Sequence, residues 1–321
     1  MTKDTETAFI EVLRDRLGGA RTGVEGIGDD GVVLRVVDGR VVGCDTMVEG
    51  VHWRSDWSTP ADVGWKLVAS NVSDIYAMGA VPTAMVLAAT IGRGGWDVRA
   101  FADGMAAARD ALAPGLVLVG GDTTTGATSV FTLTVFGRVG RATTRAGAQP
   151  GDTLWCDGPL GHAAAGLAML AADGGASGPL VDAHRRPRFV PPIVDQWDAA
   201  GVHAAIDISD GFAIDAWRMA RASAVSLVLD APLPGAAELA EVAARLGVDP
   251  LRWQLAGGDD YVRLVAAERS PGPAFVRVGA VRPGPPGLTL IQADGTSRQL
   301  DPDGYRHDPG RSEPTPSRDA T

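Results

Sequence analysis

Cysteine is nearly missing from this chain. Cys44 and Cys156 are the two present, and they form no CxxC pattern, which excludes a disulfide framework and a zinc site built on paired thiolates. Aromatic residues are scarce at 6%, so the apolar content rests on small residues, and small residues let helices approach a sheet closely. Runs of Lys and Arg are absent and the net charge is −10, which argues against the cationic surface that grips a nucleic-acid backbone. The longest apolar run, residues 84–91, is too short to cross a bilayer. Residues 1–16 are polar and charged, unlike a secretory signal, so a cytoplasmic protein is expected. No Gly-Lys-Ser/Thr occurs, which removes a Walker A loop. The protein-kinase motif set is missing, and no Ser/His/Asp or Cys/His/Asp arrangement stands out.

What remains is enough for two α/β domains. The chain has 321 residues, 45% apolar and 21% charged, close to the globular average. Spacing predicts a short helix over 8–17 and a hairpin of strands 32–37 and 40–44 turning at Asp38-Gly39. Thr59, Pro60 and Asp62 mark the start of a helix reaching about Met78, with Gly79 at its end. A strand (84–91), a helix (97–112) and strands 116–119 and 130–139 follow. Residues 146–152 read as an interdomain linker. The second half is expected to hold strands 153–156, 204–208, 226–229 and 261–266, helices 161–172, 211–222 and 236–246, and a Pro-rich crossing at 187–192. The expected division is 1–146, 147–300 and a mostly disordered tail, 301–321.

The informative feature is a series of aspartates placed where predicted strands and helices end: Asp29-Asp30, Asp45, Asp74, Asp122, Asp207 with Asp210, and Asp259-Asp260. Several sit beside glycine, as in Gly28-Asp29-Asp30, Gly120-Gly121-Asp122-Thr123-Thr124, Asp207-Ile208-Ser209-Asp210-Gly211 and Gly257-Gly258-Asp259-Asp260-Tyr261. Hard divalent cations take oxygen ligands, and magnesium is commonly held by a few carboxylates with phosphates and water. Glycine lets a phosphate approach the backbone. Singly, each motif has a plainer reading: Asp210 as a helix cap, Asp29, Asp30 and Asp122 as turn residues, Asp74 as a solvated helix edge. Together and in order they point to a shared cation site. Gly26-Ile27-Gly28-Asp29-Asp30-Gly31 matches the dinucleotide GxGxxG expression, but a polar stretch precedes it and a strand follows, so that reading fails. His52, in Val48-Glu49-Gly50-Val51-His52-Trp53, is the histidine of interest, although a lone histidine is more often structural. Cys44 and Cys156 are expected in strands as small apolar residues.

In this order the motifs resemble the thiamine-monophosphate kinase family of the aminoimidazole-ribonucleotide-synthetase-like superfamily, over residues 26–305. The resemblance implies a mixed α/β, two-domain fold whose N-terminal domain forms a β-barrel with a second copy, in a homodimer. It implies ATP as co-substrate, several magnesium ions, and a small-molecule phosphate acceptor in thiamine biosynthesis. By motif, Asp30, Cys44, Asp45, Asp74, Asp122, Asp207 and Asp210 correspond to metal positions, with Asp210 the most critical. Gly121, Asp122, Arg145 and Ser209 correspond to nucleotide positions, and His52, Asp259 and Tyr305 to acceptor positions. No acid–base residue is required, because the acceptor phosphate is largely ionised near neutral pH and the task is positioning and charge neutralisation. The chain departs from the family at Cys44, where Thr is usual, at Asp259, where Glu is usual, at Val262-Arg263, and at Thr125, where Arg is common. A kinase of the same fold with another acceptor, and a non-catalytic nucleotide-binding protein, are the alternative expectations.

Overall fold

The computed structural model describes residues 39–93 and 96–306, and residues 32–34 by backbone alone. The predicted helix over 8–17 and the Gly26–Asp30 motif lie outside the described residues, as does the rest of the expected tail beyond Arg306.

The first half is built on a five-stranded sheet in the order β1-β2-β5-β3-β4. Its strands are β1 (Val32–Leu34), β2 (Arg40–Val48), β3 (Val81–Ile91), β4 (Val117–Thr125) and β5 (Val130–Arg138). Strands β1 and β2 pair antiparallel as expected, but the register sets Leu34 opposite Arg40, where a two-residue turn at Asp38-Gly39 would set residue 37. Two helices cover one face: α1 (Pro60–Ala77) and α2 (Val98–Leu112). The capping signal at α1 is realised on both sides, since the Thr59 side chain accepts the Asp62 N–H and the Asp62 carboxylate accepts the Thr59 N–H at 2.9 Å. Helix α1 is buried almost all round, because sheet, α2 and the second half of the chain each take part of its surface. A helix enclosed in this way is normally apolar throughout; here Lys66, Ser70, Asn71 and Ser73 are buried too, and each has a polar partner.

The second half carries a seven-stranded sheet in the order β12-β11-β8-β10-β6-β9-β7. These strands are β6 (Thr153–Cys156), β7 (Val202–Asp207), β8 (Ser226–Asp230), β9 (Arg263–Ala267), β10 (Val276–Arg282), β11 (Gly287–Ile291) and β12 (Ser297–Gln299). Its helices are α3 (His162–Ala172), α4 (Pro179–Arg185), α5 (Trp197–Ala200), α6 (Phe212–Ser223), α7 (Ala236–Leu246) and α8 (Pro250–Ala256). One apolar cluster fills the first sheet and its helices, from Val41 to Phe131 and Val135. Another, including Leu154, Ile206, Phe212, Leu229 and Leu264, fills the second. Among the described residues no helix is long and apolar enough to cross a membrane.

Several expectations are corrected. Strands β2 and β4 run further than predicted, so Asp45 and Asp122 lie within strands and not at their ends. The strand predicted from Tyr261 begins at Arg263, because Tyr261 is in the left-handed region with φ 52°. Strands β10 to β12 and helices α4, α5 and α8 have no counterpart in the sequence reading. Among the described residues the first sheet is open, with β4 at one edge.

The packing of α1 on α2 depends on two glycines. A Cβ on Gly64 would lie 2.2 Å from the Phe101 carbonyl oxygen, and one on Gly104 would lie 2.0 Å from that of Ala61. Backbone cannot yield as a side-chain tip can, so Gly104→Ala is expected to lower the unfolding free energy by about 1–3 kcal/mol. Urea unfolding checks this, and an unchanged midpoint would contradict the packing described.

Candidate active site

Helix α1 carries the inner wall of the site. Asn71 accepts the Asp45 N–H through Oδ1 at 3.0 Å, which fixes the middle of β2 against the helix. Ser73 donates to the Tyr261 carbonyl at 3.1 Å, which fixes a loop of the second half to the next position along. Asp74 follows directly, in the last turn of α1, within one helical step of both anchors.

Two loops of the second half meet over that helix. Residues 208–211 follow β7, and residues 257–261 precede β9. They are laced by backbone bonds: Ile208 N–H to Val262 O at 2.8 Å, Tyr261 N–H to Ile208 O at 2.8 Å, and Asp259 N–H to Ser209 O at 2.9 Å. The approach is so close that a Cβ on Gly258 would lie 2.2 Å from the Ser209 carbonyl oxygen. Asp259 and Tyr261 both have positive φ, 65° and 52°. A residue with a Cβ held in that region costs roughly 1–2 kcal/mol, and such strain persists only where surroundings over-determine it.

Asp215 shapes the first of these loops and was not singled out by sequence. One carboxylate oxygen accepts the N–H groups of Ser209, Asp210 and Gly211 at 3.1, 3.1 and 3.2 Å. Arg218 donates to both Asp215 and Asp210 at 2.6 Å. Asp210 is therefore ion-paired and not the helix cap that its position suggests; the capping position is Gly211, without a side-chain cap. The Tyr305 N–H reaches Asp210 O at 2.8 Å, so the far end of the described chain returns to this loop.

Acids from both halves converge on Tyr261. Burial first, and then the negative fields of Asp259, Asp45 and Asp207, push its phenol well above the ordinary value. Asp207 is 2% exposed at the end of β7. The Tyr261 hydroxyl donates to Asp259 at 2.8 Å. Asp260 turns the other way and accepts the Gly161 N–H at 2.7 Å at the head of α3; burial pushes its carboxyl up to about 8.

Asp259 also binds Lys66, whose Nζ lies 2.6 Å away and 3.4 Å from the His52 carbonyl oxygen. Burial alone would push the Asp259 carboxyl up, but Lys66 above all reverses this and holds it below the usual carboxylate range. His52 Nδ1 accepts the Val48 N–H at 3.0 Å, which leaves the proton of a neutral ring on Nε2. Lys66 and the nearby His184 were both missed by the sequence reading; a lysine as the one basic residue of helix α1, flanked by Trp65 and Leu67, was the signal for the first.

Other predicted residues stand apart from this centre. Cys44 is exposed and receives the Thr134 hydroxyl at 3.3 Å, on the sheet face opposite to its neighbour Asp45. Asp122 pairs with Ala88, which lies opposite Thr132, itself opposite Thr46. That row shares the outer face with Cys44 and not the face of Asp45. Gly121 lies on the same edge strand, where a Cβ would meet the Leu87 carbonyl oxygen at 2.1 Å. The Arg145 carbonyl accepts from Ser223 at 3.1 Å. Among the described residues no three His, Cys, Asp or Glu side chains are grouped closely enough to hold a metal ion; Asp30 lies outside them. The donor chemistry, carboxylate oxygen throughout the Tyr261 cluster, suits a hard divalent cation.

Residues 28–139 match the family described as AIR synthase related protein, N-terminal domain. The chain is 36% identical to the thiamine-monophosphate kinase of Corynebacterium glutamicum over 86% of each chain. It is 35% identical to that of Escherichia coli K12, over 94% of this chain and 98% of the relative. The chain belongs to the thiamine-monophosphate kinase family. A solved structure of a family member, AaThiL complexed with AMPPCP and TMP, superposes with a TM-score of 0.82 at 26% identity, over 96% of this chain and 99% of that one. Against the family pattern, the Arg263 departure has a local explanation. Its fully buried guanidinium bonds Asp157 at 2.6 Å and lies 4.4 Å over the Phe189 ring, so its charge is answered inside the core.

The site's pH response follows from His184. Burial first, and then the charge of Lys66, drive its imidazole down to about 3, with Asp259 opposing. The folded protein then holds His184 neutral while the unfolded chain protonates it below about 6.5. Its contribution is full above that pH and is lost as pH falls toward 3, at up to about 1.4 kcal/mol per unit. His184→Gln is expected to flatten the loss of stability between pH 6.5 and 4.5, read by urea unfolding at each pH. An unchanged slope would contradict the assignment.

Proposed function

We propose that this protein transfers the γ-phosphoryl group of ATP to thiamine monophosphate in a magnesium-dependent, in-line displacement that yields thiamine diphosphate. The observation that carries the reading is that one helix, α1, bonds the Asp45 N–H of the first half through Asn71 and the Tyr261 carbonyl of the second half through Ser73. Family membership and the likeness to a neighbour bound to AMPPCP and TMP support the substrates.

Two phosphate groups repel, and a site rich in carboxylates repels both further. Magnesium, when bound, would supply the positive charge that offsets the repulsion between the phosphates and the charge developing in the transfer. Asp45, Asp74, Asp207 and Asp210 would hold it, with Asp30, while Asp122 and Cys44 lie apart from that set on the other face of the first sheet. On the nucleotide side, Gly121, Asp122, Arg145 and Ser209 bind the ATP phosphates, and the guanidinium of Arg145 suits an anion through its planar donors. On the acceptor side, His52, Asp259 and Tyr305 orient thiamine monophosphate. A phosphate monoester loses its second proton near pH 6, so the attacking oxygen is already anionic and no side chain need take a proton. The clasp of the 208–211 and 257–261 loops keeps the reacting groups in one fixed geometry, where most of the rate gain in such a reaction arises.

The working protein is a homodimer in this reading, located in the cytoplasm. Among the described residues strand β4 is an unpaired edge, with Val117, Leu118 and Val119 exposed at 55%, 50% and 63%. Such an edge invites pairing, and a second copy covering it would close the expected barrel beside Gly121 and Asp122. The proposed division at residues 146–147 lets each half bring its own acids to the cleft.

Purified protein with ATP, magnesium and thiamine monophosphate is expected to form thiamine diphosphate, to stop on chelation, and to lose activity about 10–100-fold in Asp210→Asn. ADP release with a different phosphate ester or alcohol, and none with thiamine monophosphate, would move the reading to the same chemistry on another acceptor.

A further inference from the structure

Lys66 is the least expected charge in the molecule. Its side chain is 4% exposed, inside a helix buried on nearly every side, and it reaches two groups at once. One is the Asp259 carboxylate at 2.6 Å, 193 residues away in sequence. The other is the His52 carbonyl at 3.4 Å. These are two of the residues assigned above to the acceptor, and they come from different halves of the chain. Desolvating an ammonium is costly unless it is paired and hydrogen-bonded, so a cation in this place is held there by its partners.

We propose that Lys66 is the positioning residue of the acceptor side: its ammonium locks the 257–261 loop, through Asp259, onto the helix that carries Asp74. The loop needs such a lock. Asp259 and Tyr261 are both held left-handed, and the Tyr261 hydroxyl depends on the same carboxylate. His184 closes the pair from the other side. It is 6% exposed, its Nδ1 lies 3.9 Å from the same Asp259 oxygen, and that nitrogen has no hydrogen-bond partner among the described residues. A neutral ring there keeps water from the ion pair without competing for it. The Asp259 departure fits this arrangement: the shorter acid reaches Lys66 directly, so the buried lysine fixes where the carboxylate faces the acceptor. The inference deepens the phosphotransferase reading and relies on it for one of its two readouts.

The test is a double-mutant cycle of Lys66→Met and Asp259→Asn in the full chain, with steady-state kinetics for both substrates. Lys66→Met is expected to raise the KM for thiamine monophosphate at least tenfold while the KM for ATP stays within twofold. In the Asp259→Asn background the same change is expected to move the acceptor KM less than twofold, because the lysine acts through that carboxylate. Lys66→Arg, which keeps the charge, is expected to recover part of the loss. Equal effects in both backgrounds, or an equal rise in both KM values, would overturn the lock. Amide hydrogen exchange at residues 258–261 gives a second readout that needs neither turnover nor the Lys66→Met protein. It is expected to accelerate at least tenfold in Asp259→Asn, and unchanged exchange would also overturn the lock. Wild-type protein inactive on thiamine monophosphate would retire the functional reading alone, since exchange judges the lock independently.

Discussion

The site depends on two loops being sewn together along their backbones above a buried helix. Where residues 208–211 and 257–261 meet, three main-chain hydrogen bonds of 2.8–2.9 Å hold them, and Gly258 leaves the Ser209 carbonyl no side chain to displace. The ends of the neighbouring strands β7 and β9 are thereby joined, and Ser73 and Lys66 of α1 fasten the joint to the first half. Asp45 belongs to one sheet and Asp207 to the other, and this contact fastens the two together.

This explains why so many polar groups are buried in α1. Asn71, Ser73 and Lys66 each satisfy a main-chain or carboxylate partner from outside the helix, and an unpaired polar group in the same place would be strongly destabilising. The helix is the meeting surface of two layers, so its polar residues record what crosses it. Asp215 plays a similar part from α6: by accepting three consecutive N–H groups it fixes the turn that presents Asp207 and Asp210.

Much of this was legible in sequence, and the limits have physical causes. The capping box at Thr59 is a local signal and reads correctly, as does the antiparallel pairing of β1 with β2. The order of aspartate motifs identified the family because spacing along the chain survives where contacts are not yet visible. Lys66, His184 and Asp215 went unnoticed because their importance lies in partners 193, 75 and a few residues away, beyond any periodic pattern. Cys44 and Asp122 were grouped with Asp45 by motif, although pleat parity places them on the other face of the sheet. Tyr261 was read as the first residue of a strand, because no propensity rule anticipates a left-handed tyrosine held by a serine on a distant helix.

The central claim is that acids from the two halves share one cation-binding centre. Paramagnetic line broadening with substoichiometric Mn2+ and an ATP analogue tests it most directly, through backbone amides of uniformly labelled protein. The account predicts that amides near Asp45 and Asn71 broaden together with those of Asp207 to Asp210 and Tyr261, at the same metal concentration. Broadening confined to one half of the chain would contradict it.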